Sequence, residues 1–204
     1  VLKEKWTSFV GLHKVPVVYG LTIGEYGKMV NGEKWLKNGV QAKYTIIPML
    51  NYHKKQRYPI SEKPSPNLPN DQSINLYPSL CFFEGTQVSI GRGTDFPFQV
   101  FGSPWLKNHP FKFTPKPNFG AKDPFLNGKI CNGEDLRNYP EIKEKLDLSF
   151  VINAYKNFDK KSQEFFLKNL WFDTLAGTDE LRKQIISGKS EEEIRNSWKQ
   201  DLQN

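Results

Sequence analysis

Glu84 is the first residue whose setting suggests chemistry. It directly follows the apolar run Leu80–Phe83 and opens a stretch, EGTQVSIGRGTDF, that carries three glycines, the hydroxyls of Thr86, Ser89 and Thr94, one arginine and a second acid, Asp95. A hairpin needs two or three turn residues, not a dozen. A carboxylate at the end of a core element is held by the scaffold yet can face a cleft; if partly desolvated, it becomes a proton donor near neutral pH. Arg92 stands between Gly91 and Gly93, and its rigid fork of donors suits a carboxylate or a pair of sugar oxygens. Two plainer readings compete: Glu84 as a surface acid or as a partner of Arg92 that pins the loop, and Arg92 bridging to Asp95.

GRGT resembles a phosphate cradle only in part, because it lacks the Lys-Ser/Thr pair of a P-loop and the full dinucleotide glycine spacing. Asn51 and Asn67 read first as turn residues, although Asn51 falls at the expected C-terminal end of a strand, where α/β folds place ligands. His13, His53 and His109 are isolated and neither cysteine has ligand spacing, so neither a metal site nor a cofactor is expected. A buried free thiol is the simpler reading of Cys81 in its apolar run.

The elements that must position these residues follow from periodicity. KVPVVYG and KYTIIPML read as strands around a helix capped by Thr22, with Glu25 at the capping-box position and Ile23, Tyr26, Met29 and Val30 on one face. That βαβ grammar predicts an α/β fold. A proline-rich connection over 59–78 then separates 1–58 from 79–204. Beyond it, SLCFF reads as a strand. PFKFTPKPNF and NGKICNG read as strands of a second, mixed sheet, α+β in character. SFVINAYKNF, TDELRKQIISG and SEEEIRNSWKQDL read as helices, the last with a capping box from Ser190 to Glu193.

Composition sets the bounds. With 37% hydrophobic and 25% charged residues in 204, the chain buries a real core. Aromatic content of 14% exceeds what a core requires, and such a surplus suits a ligand groove. The net charge of +7 favours anionic partners, but the basic residues are dispersed. HKKQR (53–57) is too short to argue for nucleic acid and reads as a solvated loop. No run is long enough for a membrane span, and the first residues lack a signal peptide's apolar core. A start without Met suggests a portion of a longer chain.

Four segments together, GLTIGEYGKMVNGEKWL, KPSPNLPN, LYPSLCFFEGTQVSIGRGTDFPFQVFGSPW and LAGTDELRKQIISGKSEEEIRNSW, resemble the exo-β-N-acetylmuramidase family, in its Bacteroides-type version. The resemblance implies a remnant of a Rossmann-like domain over 1–58, the rest of which would belong to the parent chain, followed by a C-terminal α/β domain. It implies removal of terminal N-acetylmuramic acid from peptidoglycan fragments in cell-wall recycling, in the periplasm or outside the cell. Carried over by position, it makes Glu25 and Glu84 catalytic and adds Arg92 and Thr94 to the substrate-binding candidates Thr86, Ser89, Asn51 and Asn67. Two carboxylates would then perform the acid/base or nucleophile work of glycoside hydrolysis. This chain departs from the family pattern EGTNVSEGRGT at Gln87 and Ile90, so position 90 performs no indispensable proton transfer here. A non-catalytic module that binds wall sugars is the alternative.

Overall fold

The structure is a computed structural model, and it describes residues 2–16, 18, 20–54, 56, 58–140 and 145–203. The chain forms two compact units, one of residues 17–59 and a larger one of 1–16 with 60–204.

In the smaller unit Thr22 starts helix α1 (Ile23–Gly32) as expected: its Oγ1 accepts from Glu25 N at 3.2 Å while Glu25 Oε2 accepts from Thr22 N at 2.9 Å. The strand expected after it, KYTIIPML, is not formed. The described residues of this unit contain no strand, and Ile47 and Leu50 of the second expected strand are 89% and 90% exposed. An apolar run becomes a strand only where a ladder partner takes its backbone groups. Of KVPVVYG, Val17 and Tyr19 lie outside the described residues, as do Lys55 and Arg57 of the basic loop.

The larger unit combines helices with a small sheet. Where an extended connection and a strand were expected, Asn70 caps helix α2 (Asp71–Leu80): its Oδ1 accepts from Ser73 N at 3.0 Å and Ser73 Oγ accepts from Asn70 N at 3.3 Å. Leu76 and Leu80 recur at helical spacing and are buried, so the apolar run begins on the core face of a helix rather than in a strand. Pro78 supplies no N–H to the helical ladder, and the chain then tightens into a 3₁₀ turn over Cys81–Gly85. Strands β1 (Val100–Ser103), β2 (Phe111–Phe113) and β3 (Cys131–Asp135) form a sheet in the order β1-β3-β2. Both pairings are antiparallel, so the sheet is not mixed.

Helices α3 (Ser149–Asn157), α4 (Trp171–Ala176), α5 (Glu180–Ile186) and α6 (Glu191–Gln203) follow. The Ser190–Glu193 capping box is made in both directions. Phe82, Phe83, Phe98, Phe101 and Phe172 are fully buried, and the Phe83 and Phe101 rings stack with centroids 4.8 Å apart. Each such ring removes on the order of 150–250 Å² from water, which makes this cluster the anchor of the unit. Cys81 and Cys131 are free thiols, and burial pushes both up to about 12.

Candidate functional site

Glu84 projects from the 3₁₀ turn at the end of α2, and three contacts fix that turn. Gly85 O accepts from Leu167 N at 3.0 Å, Gln87 N donates to Phe165 O at 2.8 Å, and Thr86 bridges to Phe166. Gly85 is required here by close approach: a Cβ on it would sit 2.4 Å from the backbone of Phe172. The absent side chain lets α4 press against the turn and brings Trp171 to the edge of Glu84. What this glycine admits is another part of the protein.

Arg92 lies in a loop closed by Thr94 N donating to Gly91 O at 3.0 Å and Phe98 N donating to Ile90 O at 2.8 Å. Its guanidinium stands 5.1 Å from the centre of the Phe98 ring. Nε and Nη2 both donate to Glu84 Oε1, at 3.0 and 2.8 Å. Of the readings open from sequence, the Glu84–Arg92 pair is the one formed. Both donors converge on one oxygen, so Glu84 Oε2 and Arg92 Nη1 have no hydrogen-bond partner among the described residues. The two side chains are 26% and 36% exposed, which leaves both within reach of a ligand.

The pair borders a hollow of about 330 Å³. Thr86, Ser89 and Ile90 line it, together with Phe125, Leu167 and Trp171. Cavities for small molecules run to roughly 300–1,000 Å³, so this one has the size of a single sugar ring. Ile90 is 4% exposed and belongs to the core, which makes this position packing rather than acid chemistry. The hydroxyls serve the scaffold first. Thr86 Oγ1 donates to Phe83 O at 2.8 Å, and Ser89 Oγ accepts from Gly91 N at 3.3 Å.

Of the remaining candidates, Thr94 and Asn67 lie elsewhere in the larger unit. Thr94 Oγ1 donates to Gly91 O at 2.6 Å and lines a different depression, beside Lys112 and Asn118. Since Gly91 N and Thr94 N are engaged inside the loop, GRGT does not present them as a phosphate cradle. Asn67 is buried and its Nδ2 donates to Gly120 O at 2.8 Å, a clamp between two loops. Asn51, in the smaller unit, is exposed with a left-handed φ of 59°, as a turn residue would be. Glu25, also in the smaller unit, pairs with Lys54 at 2.6 Å. The Lys54 bond, then the Thr22 amide, lower its carboxyl from 4.5 to about 2. Among the described residues no group of His, Cys, Asp and Glu could hold a metal, and no helix is long and apolar enough to cross a membrane.

Phe125, Leu167 and Trp171 were not foreseen as wall residues. The only signal for them was the general surplus of aromatic residues. They arrive from 33 to 87 positions beyond Glu84 and Arg92, and local periodicity carries no record of that meeting.

The larger unit is thus an α+β unit with a hollow lined by a carboxylate, a guanidinium and aromatic side chains, a lining that suits a small polar ligand with flat apolar faces. Comparison narrows the reading. Residues 1–72 match the model of the N-terminal part of exo-β-N-acetylmuramidase NamZ and residues 75–204 that of its C-terminal part. The chain is 32% identical over 221 aligned residues to the peptidoglycan β-N-acetylmuramidase NamZ of Bacillus subtilis (strain 168), covering 100% of this chain and 52% of that protein. It is 43% identical, with a TM-score of 0.93, to the crystal structure of a DUF1343 family protein from Bacteroides fragilis, covering 100% of this chain and 57% of that one. The chain thus spans about half the length of the relatives it matches. It belongs to the exo-β-N-acetylmuramidase NamZ family.

Proposed function

We propose that this chain supplies the sugar-recognition hollow of a cell-wall glycosidase that removes terminal N-acetylmuramic acid from peptidoglycan fragments. One observation carries the reading: Glu84 and Arg92 meet at a hollow the size of one sugar, each keeping an unengaged polar atom, and Phe125 and Trp171 line the same hollow. The family match and the name of the B. subtilis relative support the same substrate class. Arg92 Nη1 receives the lactyl carboxylate that distinguishes muramic acid from glucosamine, a charge-assisted bond that a neutral analogue cannot make. Glu84 Oε2 takes a ring hydroxyl or acts at the glycosidic bond.

The reaction assigned here uses Glu84 and Glu25 as its two carboxylates. One of the two protonates the leaving oxygen and the other acts as nucleophile or activates water. In this reading residues 1–58 are the C-terminal part of a Rossmann-like domain, and the parent protein acts in the periplasm or outside the cell.

The test is release of a chromophore from a muramic-acid glycoside by the full-length parent. Wild-type rates in Glu25→Gln and Glu84→Gln together remove the catalytic assignment. Arg92→Ala is expected to lose more activity on the muramic-acid glycoside than on its glucosamine counterpart, and equal losses refute the carboxylate contact. The second reading, a sugar-binding module without turnover, is favoured by the engagement of Glu84 Oε1 with Arg92. It requires saturable binding of muropeptides and no product from the full-length parent.

A further inference from the structure

We propose that Phe98 is a positioning residue: its ring holds the Arg92 guanidinium in a pairing with one oxygen of Glu84, and so keeps Glu84 Oε2 and Arg92 Nη1 free for a ligand. The inference rests on the reading of the hollow as a saccharide site. Phe98 is fully buried and is not one of the residues that line the hollow, so it acts there through Arg92.

The backbone of Phe98 is one that its side chain disfavours. Its φ is 56°, in the left-handed region, where Cβ crowds a neighbouring carbonyl and which glycine or asparagine enters more easily. Such a conformation persists where the surroundings over-determine it. Phe98 N donates to Ile90 O at 2.8 Å, and beyond that closure Ser89 and Gly102 exchange both backbone hydrogen bonds, at 2.8 and 2.9 Å. The next residue, Gln99, is buried; its Oε1 accepts from Asn70 Nδ2 at 3.0 Å and its carbonyl from Leu136 N at 2.8 Å. The Phe98 ring meets that of Tyr77, with centroids 4.8 Å apart. Asn70 caps α2 and Tyr77 lies on it, so the loop of Arg92 is tied to the helix whose end carries Glu84.

Other arginines of this chain show what the ring changes. A guanidinium and a carboxylate commonly pair fork to fork, with two donors on two oxygens. Arg137 meets Asp135 in this way, with Nε to Oδ1 at 2.9 Å and Nη2 to Oδ2 at 2.6 Å, and Arg182 meets Asp173 with both bonds at 2.8 Å. Arg195, like Arg92, places Nε and Nη2 on one oxygen, that of Glu191, and there Leu146 O draws Nη2 aside. Among the described residues Arg92 has no such third polar contact; it has the Phe98 ring, 5.1 Å away. Arg137 also lies over a ring, that of Phe96, yet stays forked, because its acid is two residues along the chain and can turn to meet it. Glu84 cannot follow in that manner, since its turn is pinned to Phe165 and Leu167. A forked Arg92 would occupy Glu84 Oε2. The ring spares that oxygen and fixes the direction of Nη1, so less freedom is lost when a ligand carboxylate arrives.

The experiment has a kinetic and a spectroscopic arm. In the full-length parent Phe98→Leu is expected to lower kcat/KM on a chromogenic muramic-acid glycoside about tenfold, through KM, the worth of ordering one side chain. It is expected to add no loss where Arg92 is already alanine, and Phe98→Tyr, which keeps the ring face, should retain most of the activity. In this chain the Arg92 Nε–H signal in NMR, identified by its absence in Arg92→Lys, is expected to move and to exchange faster in Phe98→Leu. Tyr77→Ala, at a position that is 38% exposed, should move the same signal in the same direction and decides the matter if Phe98→Leu does not fold. A signal unmoved in the variants that fold, or losses from Phe98→Leu and Arg92→Ala that multiply, overturns the role of Phe98 and leaves the reading of the hollow standing. If the native parent neither cleaves nor binds the glycoside, the reading of the hollow fails and the ligand role of Phe98 falls with it.

Discussion

Glu84 and Glu25 are both acids near the start of a turn of helix, yet their surroundings separate them. Glu84 is three-quarters covered, shares one oxygen with a guanidinium that lies over Phe98, and faces a walled hollow. Glu25 stands in water, its carboxylate closing the first turn of α1 and pairing with Lys54. A carboxylate is a helix cap or a ligand-binding group according to what its free oxygen faces. That property belongs to the neighbours more than to the residue.

The comparison is broken most forcefully at the core beneath Glu84. Phe83→Ala is expected to cost about 3–5 kcal/mol in urea-induced unfolding, because the ring is fully buried and stacked on Phe101. A cost below about 1 kcal/mol would mean that the site is not built on a rigid base. Arg92→Ala should weaken binding of N-acetylmuramic acid by roughly 10- to 100-fold in calorimetry, the range of one or two charge-assisted bonds. Arg92→Lys should restore little of this, since a point charge cannot hold Glu84 and a ligand carboxylate in one plane.

The Glu25 side is sharpened by acid. Its folded value is depressed below 4.5, so its contribution to α1 is fully present above that pH and is lost as the pH falls through about 2. Amide shifts of Ile23 to Tyr26 are expected to titrate in that window in the native chain, and to be flat there in Glu25→Gln. Titration centred near 4.5 would mean that the Lys54 and Thr22 contacts do not form in solution. The smallest effect concerns the thiols: with burial holding both up to about 12, neither cysteine should react with a disulfide reagent at pH 8 before the protein unfolds. Rapid labelling of Cys81 in the folded chain would show that the helix end beside Glu84 opens.

Much of the helical content was legible because helix signals are local. The Thr22–Glu25 and Ser190–Glu193 capping boxes each lie within four residues, and both form. The run from Leu80 to Phe83 misled because a short apolar stretch fits a strand or a buried helix face equally. Its arbiter, the Asn70–Ser73 cap, lay ten residues upstream. KYTIIPML misled for the opposite reason: its composition suits a strand, but no described residue of its unit pairs with it.

By itself the sequence determined the helix starts, the chemical palette of EGTQVSIGRGT and the family to which those motifs belong, all of them properties of neighbouring residues. Only the tertiary structure decided that Arg92 takes Glu84 rather than Asp95, and that Gly85 makes room for Phe172. It also decided that Phe125, Leu167 and Trp171 line the hollow that Glu84 and Arg92 border. The first spans eight residues and the others tens; all are fixed when burial of the phenylalanine core brings segments together, and no local spacing encodes them.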